Sequence, residues 1–169
     1  MDIESQRREQ ESDHRHLTTR ETVRAAIVDL VTVAQHEILI CAPQLEAAFY
    51  NRADVAQALG HFIARRTGNR IRILVEDSEL LLQADVRLVE LTRRFSDLIL
   101  IRQLGELHQG LAEMFIVVDA QSCLHQRDIG AVDATYDFHA AQLAMPLARR
   151  FETLWAASDL LPGLHPFRL

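Results

Sequence analysis

The chain has no lysine: all 18 of its basic residues are arginine. That absence removes the Walker-type phosphate loop and Schiff-base catalysis, both of which need a lysine amine. Basic charge is short altogether, with 18 basic against 24 acidic side chains and a formal net charge of -6. Affinity for phosphate backbones and anionic membrane surfaces is built from basic excess, so neither nucleic acid nor a membrane is an expected partner. Only two cysteines are present. Cys41 and Cys123 both lie in apolar runs without metal-ligand spacing, which reads as reduced core residues of a cytosolic protein rather than a disulfide. No apolar run approaches the roughly 20 residues of a membrane span, and the first residues are charged rather than apolar. A cytoplasmic location is the expectation. Internal repeats and low-complexity segments are absent as well.

What is present suits one domain, because a chain of 169 residues buries on the order of 70% of its unfolded surface. Residues 1–17 read as a flexible, charge-rich tail, 18–158 as the domain and 159–169 as a C-terminal extension. Thr18 followed by Glu21 predicts a capping box, after which Val23, Ala26, Ile27, Leu30, Val31 and Ala34 fall at helical spacing. Glu37 to Ala42 predicts a buried strand halted by Pro43. A second helix is expected from about Ala53, with Gly68 placed to cap its end, and Arg70 to Val75 predicts the next strand. Asp77 or Ser78 starts a helical region with a break near Asp85, and Leu98 to Arg102 reads as a strand. Further strands are expected at Met114 to Asp119, Ser122 to Gln126 and Ala131 to Phe138. Pro146 is expected to open the last helix, whose apolar stripe is Leu147, Phe151, Leu154 and Trp155. Alternating strands and helices imply an α/β layered domain.

Ala112, Glu113, Met114, Phe115, Ile116, Val117, Val118 and Asp119 are an apolar strand ending in aspartate. The run resembles the H-x-K-x-x-x-x-D motif of the phospholipase D superfamily, with Ala112 and Met114 at the histidine and lysine positions. The succession "RIRILVED", "LILIRQL", motif strand and "FETLW" before a serine is similar to that of the single-copy bacterial members. The resemblance covers most of residues 18–158. It implies a layered α-β-α sandwich with a mixed, largely parallel central sheet, and a homodimer that brings two motif copies together.

In that family the histidine attacks phosphorus and the lysine holds the phosphoryl oxygens as charge develops. A methyl group and a thioether can do neither. Only Asp119 keeps the family's residue at the motif, and Gln126, Arg127 and Gly130 replace its downstream glycine-serine and asparagine pattern. Arg127 stands near the place of a phosphate-contacting serine, and an arginine fork binds oxyanions in bidentate fashion. The plainer role for Arg127 is an ion pair with Asp128, Asp119 or a partner chain. His125 and His108 are the other candidates for an anion pocket. His125, Arg127 and Asp133 nearly restore the order histidine, base, acid, but strand alternation turns Asp133 to the other face. His14 and His16 would hold a metal only weakly, so no metal and no cofactor is expected. Trp155 reads as a core anchor rather than a stacking platform. The favoured reading is a catalytically inactive binding, scaffolding or regulatory module with a protein partner or a phosphate-containing ligand. The alternative is a divergent phosphodiesterase or nuclease using His108 or His125 with Arg127 and Asp119.

Overall fold

The run Phe115 to Val118 shows no polar alternation because both faces of its strand are covered. In the computed structural model, which describes residues 13–84, 86–161 and 164, fifteen segments follow in order. They are β1 (Asp13–Leu17), α1 (Arg20–Val33), β2 (Glu37–Cys41), α2 (Ala47–Tyr50), α3 (Ala53–Arg65), β3 (Arg70–Val75), α4 (Ser78–Ala84), α5 (Val86–Arg94), β4 (Ile99–Gln103), a 3-10 turn (Glu106–His108), β5 (Met114–Val118), β6 (Ser122–Gln126), β7 (Ala134–Phe138), α6 (Ala141–Ala156) and β8 (Asp159–Leu160). The strands form one sheet in the order β1-β7-β6-β5-β2-β3-β4-β8. Alternate residues of each central strand feed two apolar layers. Ile38, Ile40, Ile71, Ile73, Met114, Ile116 and Val118 pack with α1 to α5, whereas Leu39, Cys41, Leu74, Phe115 and Val117 pack under α6. The result is a single-domain α-β-α sandwich.

The sheet is mixed but mostly antiparallel, which corrects the expected largely parallel one. Only β2 with β3 and β3 with β4 run parallel. Those are the pairs joined by helical crossovers, which a parallel connection requires. From β5 onward the connections are short, so β5, β6 and β7 form antiparallel hairpins. The β5–β6 turn holds Asp119 and Ala120 at φ 53 and 52, the left-handed geometry that matches the twist of paired strands.

Other boundaries also differ from the sequence reading. Residues 13–17, expected in the tail, pair with β7 as an edge strand, and Leu17 enters the core. Residues 1–12 of that tail lie outside the described residues. Two residues of the expected C-terminal extension form β8 against Arg102 and Gln103. The first helix is capped one residue later than expected: Thr19 and Thr22, not Thr18 and Glu21, exchange side-chain and backbone hydrogen bonds. The break near Asp85 falls on a residue outside the described ones, between α4 and α5. Pro146 lies inside α6 rather than opening it. The carbonyl it leaves unpaired belongs to Gln142, and both residues are exposed, so that carbonyl is open to solvent.

Arg72 fixes α6 to the sheet. Its guanidinium donates to Glu37 Oε1 at 2.9 Å and to both carboxylate oxygens of Glu152. It also lies 5.4 Å from the Phe151 ring centroid and 5.3 Å from that of Trp155, while Arg102 lies 4.7 Å from the latter. Trp155 is therefore an anchor within a filled network, as expected. Cys41 and Cys123 are buried and unbridged, and burial pushes both thiols up to about 12. Among the described residues no helix is long and apolar enough to cross a membrane.

Candidate functional site

Strand alternation splits the motif run between the two faces of the sheet. Ala112 precedes β5 as an exposed loop residue, and its carbonyl accepts the Ile129 N–H at 2.8 Å. Met114, the first residue of β5, is 3% exposed. With Ala42, Leu45, Phe49, Tyr50 and Ile129 it walls a cavity of about 20 Å³, room for about one water. Where the resemblance implies a lysine facing phosphate, the side chain is core. Phe49 and Tyr50 reach that core from α2, a helix that sequence reasoning did not anticipate.

Asp119 sits beyond the other end of β5, five residues and so about 17 Å from Met114 along the strand. Its Oδ1 accepts the N–H groups of His36 and Glu37, each at 2.8 Å, and its Oδ2 accepts that of Gln35 at 2.8 Å. The carboxylate thus clamps the backbone entering β2 to the end of β5. Asp119, which matches the aspartate of the motif that this strand resembles, holds backbone.

On the α6 face, Glu113 gathers the polar groups. Its Oε2 lies 2.6 Å from His125 Nε2, and its Oε1 accepts from Arg150 on α6. His125 meets Phe115 edge-on with ring centroids 6.1 Å apart, and Arg150 lies 5.8 Å from the same ring. Burial, the largest influence on Glu113, raises its pKa, but the hydrogen bonds from Arg150 and His125 outweigh it and hold the carboxyl below its usual range. His108 lies at the end of the 3-10 turn and shares a cleft with Arg150. Arg127 is exposed beyond β6 and makes no ion pair among the described residues. Of the sequence candidates, His108 and His125 therefore approach one cluster through Arg150 and Glu113, whereas Asp119 stands apart from it. Among the described residues no group of three or more histidine, cysteine or carboxylate side chains is placed to hold a metal.

A depressed carboxylate makes stability depend on pH. The contribution of Glu113 is complete above its unfolded value of about 4.3 and is lost as pH falls through the lower folded value. Urea unfolding at pH 6 and again near pH 3.5 is expected to show a smaller acid loss for Glu113→Gln than for the unmodified chain. Equal losses would mean that the carboxylate is not preferentially ionised in the folded state.

A family model described as "Domain of unknown function (DUF7931)" matches residues 19–167. The chain belongs to the DUF7931 family. No curated protein matches its sequence. Among solved structures, this DUF7931 domain is similar to Nuc from Salmonella typhimurium, a phospholipase D family member, with a TM-score of 0.67 and 13% identity over 89% of this chain and 99% of that one. NucT from Helicobacter pylori matches with a TM-score of 0.62 and 9% identity over 89% and 100% of the two chains. TrmBL2, described as an archaeal chromatin protein with a novel mode of DNA binding, matches with a TM-score of 0.63 and 12% identity over 88% of this chain and 54% of its own. The fold of the DUF7931 domain is phospholipase D-like.

Sequence reasoning missed Glu113 and Arg150. Glu113 had a signal, since a hairpin that pairs Val118 with Ser122 also pairs Phe115 with His125 and puts Glu113 on the same face, one alternation away. Arg150 had only part of one: it borders the apolar stripe of α6, three residues after Leu147 and four before Leu154, but nothing local says which strand that edge of the helix meets.

Proposed function

We propose that this domain performs no phosphodiester chemistry and serves as a binding, scaffolding or regulatory module. The observation that carries the reading is Met114, 3% exposed beside Leu45, Phe49, Tyr50 and Ile129, at the position where the resemblance calls for a phosphate-holding lysine. No lysine elsewhere in the chain can take its place. The alternative, hydrolysis by His108 or His125 with Arg127 and Asp119, needs a convergence that the separation of Asp119 opposes. The similarity to TrmBL2 supports the reading to the extent that the same fold occurs in a protein described by what it binds.

The test is hydrolysis of bis(4-nitrophenyl) phosphate by the purified chain. The expected outcome is no release of nitrophenol above buffer. Turnover proportional to protein, and lost in both His125→Ala and Arg127→Ala, would overturn the proposal. We further propose that the module is a homodimer, as the resemblance implies; Leu160, 68% exposed on β8, is an apolar side chain that such an assembly has reason to cover. Light scattering on the same sample is expected to give twice the chain mass of 19.2 kDa, and a monomer mass would remove the dimer.

A further inference from the structure

Glu113 does more than hold His125. By accepting from Arg150 it fixes a guanidinium, 41% exposed, in the wall of the cleft between the 3-10 turn and α6. That cleft has a volume of about 410 Å³, within the range of small-molecule sites. Its lining is divided by chemistry. Arg150 and His108 stand on it as nitrogen donors, and Leu111 and Leu154 give it an apolar floor. Leu107 at its rim is 95% exposed.

Two features separate this cleft from incidental surface. A guanidinium presents five N–H donors in a fixed fork, and the bond to Glu113 uses one nitrogen, leaving donors for an oxyanion. The Glu113 bond and the Phe115 ring also hold that fork in place before any ligand arrives, which lowers the ordering cost of binding. Leu107 contributes nothing to the core, yet it sets a whole leucine side chain in water beside two basic groups. Covering it against the leucine floor would remove apolar surface from water, which is favourable.

We propose that this cleft binds a small anion that carries an apolar group. The oxyanion sits on Arg150 and His108, and the apolar part lies against Leu107, Leu111 and Leu154. The inference rests on the reading of a non-catalytic binding domain and names its ligand class. It places the ligand on the α6 face, across the sheet from Met114, so it makes no use of the motif's histidine and lysine positions.

Calorimetric titration of the full chain with phenyl phosphate, hexanoate and inorganic phosphate tests this. At least one of the two amphiphilic anions is expected to bind saturably, one per chain, and about fivefold or more tighter than inorganic phosphate. Whichever binds assigns the head group. Arg150→Gln is expected to weaken binding by about tenfold or more, and Arg127→Gln to leave it unchanged. Because Arg150→Gln also disturbs Glu113, a second variant is needed: Thr153→Trp, at an exposed position of α6, fills the cleft without touching an ion pair. It is expected to abolish binding. Absence of saturable binding up to about 10 mM, binding that survives Thr153→Trp, or equal affinity for inorganic phosphate would each overturn the cleft. Release of phenol from bound phenyl phosphate would instead overturn the non-catalytic reading and leave the cleft standing.

Discussion

Met114→Lys is expected to destabilise the domain by about 3–5 kcal/mol, the usual cost of leaving a buried charge unpaired, and to gain no phosphodiesterase activity. The substitution supplies the residue that the resemblance calls for, but the surroundings pack around a thioether. Met114 is 3% exposed, and Leu45, Phe49, Tyr50 and Ile129 wall the same small cavity. Glu46, the one carboxylate on that cavity, is 3.8 Å from Arg20 and itself 40% exposed, so an ammonium would have to compete for it. The control is Met114→Leu, which keeps volume and polarity and is expected to cost less than about 1.5 kcal/mol. Urea unfolding of the three proteins measures the difference. A midpoint for Met114→Lys within experimental error of the leucine control would mean that the cavity opens to water and that the site is not core.

Asp119→Ala is expected to cost about 3 kcal/mol, since hydrogen bonds to a charged acceptor contribute roughly 1.5–3 kcal/mol each and part of the loss is recovered when water reaches the freed N–H groups. Those three groups belong to Gln35, His36 and Glu37, where the chain leaves α1 and enters β2. Asp119→Asn keeps one oxygen able to accept and is expected to fall between alanine and the unmodified chain. Amide exchange gives a readout that a general loss of stability would not: the N–H groups of residues 35–37 are expected to lose protection in Asp119→Ala at urea concentrations where β3 and β4 keep theirs. Uniform loss across the sheet would show that the aspartate acts through the hairpin turn alone, where it also occupies left-handed backbone at φ 53.

These two residues show how differently one motif can be read. By residue type alone, Asp119 matches the motif that the strand resembles and Met114 does not. In the folded protein Asp119 is a clamp on backbone and Met114 is a wall of the core. Neither role requires phosphate.

Most of the helices and central strands were legible because their signal is local. A period of about 3.6 marks α1, α3 and α6, and short runs rich in isoleucine and valine bounded by turn residues mark β2 to β5. β1 was not legible, since Asp-His-Arg-His-Leu has the composition of a tail. It becomes a strand through partners more than a hundred residues away: His14 Nδ1 lies 2.5 Å from Asp137 Oδ1, and His16 meets Asp133. Asp137, nearly buried, gains in His14 a partner for its charge that no local pattern announces.

The sequence by itself determined that this is one α/β domain without a lysine, and it carries a strand that resembles the phospholipase D motif with Ala112 and Met114 at the histidine and lysine positions. Composition and periodicity suffice for the domain class, and the resemblance supplies the motif, because each is written in residues a few positions apart. Only the tertiary structure decided that the sheet is mostly antiparallel, that β1 and β8 complete its edges, that Asp119 holds backbone, and that Glu113 gathers His125 and Arg150 beside an open cleft. Those outcomes depend on which strand lies beside which and on which strand each edge of α6 meets, and such choices are made by the folding of the whole chain.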